Sequence, residues 1–155
     1  MPTLRRRSTR EDVSLVAAGS RPVMLATLDV PFSEEATAFA VDSAVENGQP
    51  LVIVNAAEVL PTTYTILGYG YVERDDLQEA LRRPAELAHS LAVPVERLRV
   101  CSPHPVDALL EIVAERNPGL LVFGPDRSRL SGRRYRRAER AVRERSSCLV
   151  WVAPL

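Results

Sequence analysis

A chain of 155 residues with 46% apolar but only 5% aromatic content is sized for one domain around a core of small aliphatic side chains. Mean hydropathy of −0.07 and the interruption of the arginine-bearing start by Glu11 and Asp12 argue against a membrane span or a secretory signal, so a cytoplasmic location is expected. The net charge of zero is unevenly spread: Arg5, Arg6, Arg7 and Arg10 put +4 on residues 1–10, 7 Arg against 18 acids put −11 on residues 11–126, and 9 Arg against 2 Glu put +7 on residues 127–145.

Residues 1–20 show no periodicity and close on Gly19-Ser20, which predicts a flexible arginine-rich arm ahead of a domain spanning 21–155. Residues 23–28 form a near-continuous apolar run of the kind buried on both faces of a parallel sheet, and Asp29 ends it. Ser33 then offers a helix cap, with Glu34 and Glu35 in the first turn facing the positive end of the dipole. Ala36, Phe39, Ala40 and Ala44 recur at helical spacing until Asn47-Gly48 stops the pattern. A second strand follows at Leu51 to Ala56. Residues 59–72, with Pro61, Gly68, Gly70 and three tyrosines at 64, 69 and 71, suit a mobile flap.

Helical spacing returns from Glu73 to Leu91, where Pro84 predicts a kink or an early boundary. The third strand, Val95 to Cys101, carries Glu96, Arg97 and Arg99, the polarity of a sheet edge. Pro105 suits a first helical position, Leu109, Ile112 and Val113 form a buried stripe, and Asn117-Pro118-Gly119 ends the helix. Leu120 to Phe123 read as a fourth strand opening onto Gly124-Pro125-Asp126, residues 134–146 as a basic helix, and Cys148 to Val152 as a fifth strand. Cys101 and Cys148 lie in strand-like runs without metal-type spacing and read as small core residues. His89 and His104 have no neighbouring nucleophile or ligand set, so neither a catalytic triad nor a metal site is expected.

Strands alternating with helices predict right-handed crossovers and an α/β fold with a parallel sheet. Periodicity does not fix the strand order. If the first and fourth strands are neighbours, Asp29 and Gly124 border one crevice at the carboxyl ends of the strands, where ligands bind in such sheets.

Ala26-Thr27-Leu28-Asp29 resembles the Val-Ala-Val-Asp that ends the first strand of universal stress proteins, and Leu51 to Ala56 resembles their second strand. Pro105-Val106-Asp107-Ala108-Leu109-Leu110 is similar to Pro-Ala-Glu-x-Ile-Leu, Leu120 to Gly124 to Leu-Ile-Val-Met-Gly, and Cys148-Leu149-Val150-Trp151-Val152 to Cys-Pro-Val-Leu-Val without its proline. The resemblance implies an open parallel five-stranded sheet of order 3-2-1-4-5 with helices on both faces. It also implies a non-enzymatic regulatory role in stress response and a homodimer paired through Leu149, Val150, Trp151 and Val152.

In the nucleotide-binding branch of that family, the position of Asp29 meets adenine, backbone at Asn55, Ala56 and Phe123 lines the base pocket, and phosphates lie on Gly-x2-Gly-x9-Gly followed by Ser or Thr. Gly124 matches the first glycine. Strict spacing puts Arg127 at the second, Arg137 at the third and Ala138 at the hydroxyl position, whereas anchoring on Cys148 puts Arg136 and Arg137 there. Glycine lets successive N–H groups approach and aim at one anion; arginine removes that freedom and adds a five-donor cation. The expectation is therefore a regulatory domain that does not bind ATP in the family manner. The alternatives are ATP or AMP held by arginine side chains, and a basic module for acidic polymers or partners. The expected partners are a second copy, a protein partner and a small anion. Nucleic acid is not expected, because only Tyr135 interleaves with the arginines.

Overall fold

Among the described residues the chain forms four α-helices and six strands: β1 (Arg5–Arg10), β2 (Val23–Thr27), α1 (Glu34–Asn47), β3 (Leu51–Glu58), α2 (Asp75–Ser90), β4 (Val95–Ser102), α3 (Pro105–Arg116), β5 (Leu120–Phe123), α4 (Gly132–Arg145) and β6 (Leu149–Val152). The computed structural model describes residues 5–10, 21–59 and 75–154. The flap expected over 59–72 lies outside these residues except for Val59, which is buried.

The strands form one sheet in the order β1-β4-β3-β2-β5-β6. The five from β2 onward are all parallel and, numbered among themselves, give 3-2-1-4-5. Strand β1 pairs antiparallel with β4, Arg5 opposite Cys101 and Arg10 opposite Glu96. Over residues 5–10, then, a strand stands where a flexible arm is expected. The outer backbone groups of β4 need a partner, and charged side chains give no sign of that pairing.

Residues alternate across the sheet. Met24, Ala26, Val54, Ala56, Leu98, Val100, Leu121 and Phe123 pack under α3 and α4, whereas Val23, Leu25, Leu51, Ile53, Val95 and Val122 pack under α1 and α2. Local chemistry sets the helix ends. Ser33 Oγ accepts the Ala36 N–H at 3.1 Å, Gly48 closes α1 in the left-handed conformation at φ 60°, and Asn117 closes α3 at φ 46°.

Helix α2 runs through Pro84 with no boundary there. Leu81, Ala85 and Ala88 are buried on one stripe, and that packing outweighs the missing proline N–H. A forked ion pair, Arg116 to Glu96 at 2.7 and 3.0 Å, ties the end of α3 to β4. At the far edge, Leu149 of β6 is 75% exposed, while Trp151 stacks on Phe39 with ring centroids 4.3 Å apart.

Candidate functional site

The carboxyl ends of β2 and β5 are neighbours: Ala26 stands opposite Phe123, and the Gly124 N–H donates to the Ala26 carbonyl at 2.9 Å. The loops beyond them are stitched together. Ser33 N–H donates to the Gly124 carbonyl at 3.0 Å, Asp126 N–H donates to the Pro31 carbonyl at 2.8 Å, and Phe32 bridges Pro125. Backbone groups that could meet a ligand are spent on this seam.

Asp29 is half-buried with φ 53°, and its N–H donates to Asn55 Oδ1 at 2.8 Å. Asn55, 1% exposed, therefore acts on Asp29 through its side chain, a role the backbone expectation misses. Its Nδ2 is buried and has no partner among the described residues. Ala56 and Phe123 point into the core under α3 and α4.

Gly124 is not in the left-handed region. A Cβ built on it would lie 2.3 Å from Ala36 Cβ, so this glycine admits close approach of α1 to the end of β5. The following loop satisfies itself: Asp126 Oδ1 accepts the Ser128 N–H at 3.0 Å and the Ser128 hydroxyl at 2.7 Å. Arg127, at the expected second-glycine position, lays its guanidinium 4.1 Å from the Tyr135 ring centroid, and Tyr135 leans on Phe123 at 5.9 Å. Burial pushes the Tyr135 phenol above its usual range, with Glu139 adding to the rise and Arg127 and Arg143 opposing it.

Arg136, Arg137 and Ala138 stand in the middle of α4, which Ser131 opens by accepting the Arg134 N–H at 3.2 Å. Their amides serve the helical ladder, so neither motif alignment yields a backbone cradle.

A cleft of about 470 Å³ opens instead between the start of α3 and α4 over Leu28, with Glu58, His104, Asp107, Arg134, Arg137 and Arg145 on its walls. Arg134 reaches Glu58 at 3.4 Å and Arg145 reaches Asp107 at 2.6 Å. Among the described residues Arg137 has no ion pair or hydrogen bond, and the α3 amino end, capped by His104, has no side-chain cap bond. The cleft thus gathers Arg137 from the expected set and leaves out exposed Arg136.

Glu58, Arg134 and Arg145 are not singled out by the sequence, His104 reads there as lacking functional neighbours, and Asp107 enters only through the family-like segment at 105–110. Glu58 ends β3, and His104 and Asp107 follow the carboxyl end of β4, where parallel sheets build sites. Among the described residues no cluster of three metal-type ligands occurs, and no helix is long and apolar enough to cross a membrane.

The universal stress protein family model matches residues 19–154. No curated protein shows significant sequence similarity. Among solved structures, the universal stress protein UspA of Lactobacillus plantarum superposes with a TM-score of 0.61 at 14% identity, covering 88% of this chain and all of that one, 100%. One from Archaeoglobus fulgidus in complex with dAMP gives 0.58 at 19% identity, covering 85% of this chain and 96% of its own. Another universal stress protein, in complex with cAMP, gives 0.57 at 19% identity, with 87% and 98% covered. With the family pattern spanning nearly the whole domain and the sheet running 3-2-1-4-5, this chain belongs to the universal stress protein family.

Proposed function

We propose that this chain is a cytoplasmic, non-enzymatic regulatory domain of its family, acting as a homodimer and not holding ATP on a backbone phosphate loop. The observation that carries the reading is the start of α4 at Gly132, which draws the amides of Arg136, Arg137 and Ala138 into a helix. The Asp126 carboxylate, already seated on Ser128, supports it. Dimerisation is supported by the open edge of β6 and the exposed Leu149, which a second β6 would cover.

Titration calorimetry with ATP and magnesium tests the nucleotide claim: no heat at millimolar ligand is expected, and a micromolar affinity would overturn it. Light scattering tests the assembly. Wild type is expected as a dimer and Leu149→Glu as a folded monomer, and a monomeric wild type would remove the claim.

A second reading is favoured by Arg137, which stands without a described partner on the wall of the cleft. A nucleoside monophosphate, of the kind present in the dAMP and cAMP complexes of structural neighbours, suits side-chain clamps in place of a nest. AMP binding weakened at least about tenfold in Arg137→Gln would support this reading, and unaltered binding would discard it.

A further inference from the structure

The charge on α4 is arranged against the needs of the helix itself. Its first turn holds Arg133 and Arg134 and no acid, the sign that the positive end of the dipole disfavours; α1, by contrast, opens with Glu34 and Glu35. Three of the α4 arginines are neutralised, Arg134 by Glu58, Arg143 by Glu139 and Arg145 by Asp107. Four others, Arg133, Arg136, Arg137 and Arg140, are exposed and have no partner among the described residues.

Those four fall at i, i+3, i+4 and i+7. They occupy an arc of about 100° over roughly 10 Å of helix, opposite the buried Tyr135, Ala138 and Val142. Every adjacent pair in the stripe is a like-charge contact that weakens the helix. Packing does not require any of these arginines, and an anion laid along the stripe relieves them all.

We infer that this face of α4 docks an acidic segment of a partner protein, with carboxylates repeating at helical spacing. The inference deepens the regulatory reading above by naming a partner class, and it rests on that reading. Guanidinium forks match carboxylates, and a partner helix with Glu at i, i+3, i+4 and i+7 sets them along the same length. Extended polyanions fit less well. Residues 11–126 carry −11, so a nucleic acid or a bilayer reaching past the stripe meets repulsion that a two-turn peptide avoids. Tyr135, the one aromatic of α4, is buried and offers no base a stacking surface.

Fluorescence anisotropy tests this on the full chain with a labelled helical peptide bearing Glu at that spacing, its Gln counterpart, a single-stranded RNA and phosphatidylserine vesicles. The Glu peptide is expected to bind and the Gln peptide not. Affinity is expected to fall at least about tenfold as salt rises from about 50 to 200 mM, since exposed charges are screened over this range.

A comparable loss is expected in R133E/R136E/R140E and, more mildly, in R133Q/R136Q/R140Q, which guards against misfolding of the first variant. R82E/R83E on α2 should stay within about twofold, because it changes net charge away from the stripe. Absence of peptide binding, an equal loss in R82E/R83E, or tighter binding of RNA or vesicles through the same arginines would overturn the inference. Light scattering and ATP calorimetry on the same wild-type sample read the dimer and nucleotide claims separately, so either can fail while the docking result stands.

Discussion

The methyl of Ala36 occupies the space that a side chain on Gly124 would need: a Cβ there would sit 2.3 Å from Ala36 Cβ. The glycine that matches the start of a phosphate motif is thereby explained by packing alone. It seats α1 against the end of β5, and the Ser33 N–H bond to its carbonyl fixes the first turn of that helix.

Gly124→Ala is accordingly expected to destabilise the fold by about 1–3 kcal/mol, the usual range for overpacking a tight contact. Ala36→Gly costs about 1 kcal/mol in a helix, yet in the double variant it should recover most of the Gly124→Ala loss. Urea denaturation of the four proteins in the cycle measures the coupling. Strict additivity would show that the contact does not govern this position.

Asn55→Leu removes the acceptor of the Asp29 N–H at a turn whose backbone is already left-handed. A loss of about 1–3 kcal/mol is expected for removing the acceptor of a part-buried donor. Hydrogen exchange read at the Asp29 amide checks the cause, since that amide should lose protection in the native state. Unchanged protection would mean that Asn55 matters only through its volume.

Ala92 holds φ 58° just beyond α2, a conformation Gly48 adopts freely after α1. A Cβ in this region costs roughly 1–2 kcal/mol, part of which is returned as extra freedom of glycine in the unfolded chain. Ala92→Gly is therefore expected to stabilise by up to about 1 kcal/mol, seen as a higher urea midpoint at unchanged slope.

The contrast between Gly48 and Ala92 marks how far a sequence can be read. Ser33, Gly48, Pro105 and Asn117 act within a few residues of themselves, so their caps and stops are legible as local chemistry. Pro84 is misleading because its effect is decided by Leu81, Ala85 and Ala88 packing on a distant face. Strand β1 is invisible because its charged sequence lacks the apolar alternation of a strand, while its register is set by the distant edge of β4.

The site divides the same way. Strand order brings Asp29 beside Asn55 as the family pattern implies, but the meaning of Gly124 depends on Ala36, which lies 88 residues earlier in the chain. Arg137 is legible as a cation near the crevice. That it shares a wall with His104 and Asp107 depends on how α3 and α4 pack.

Alkaline pH should weaken the fold through buried Tyr135 and half-buried Cys148. Burial raises the Tyr135 phenol first, and Glu139 adds to it despite Arg127 and Arg143; burial likewise raises the Cys148 thiol, against smaller opposing contributions from backbone hydrogen bonds and Arg21. In both cases the folded pKa exceeds the unfolded one, so the folded chain keeps its proton where the unfolded chain has lost it. The slope of unfolding free energy with pH is then negative. Stability from Cys148 is whole below about pH 9 and stability from Tyr135 below about pH 10, and each is lost as pH climbs through the higher folded value. Urea midpoints between about pH 7 and 11 should fall in two stages, with Tyr135→Phe flattening the upper one and Cys148→Ala the lower. A Tyr135→Phe variant that keeps the full upper decline would place its cause in other groups.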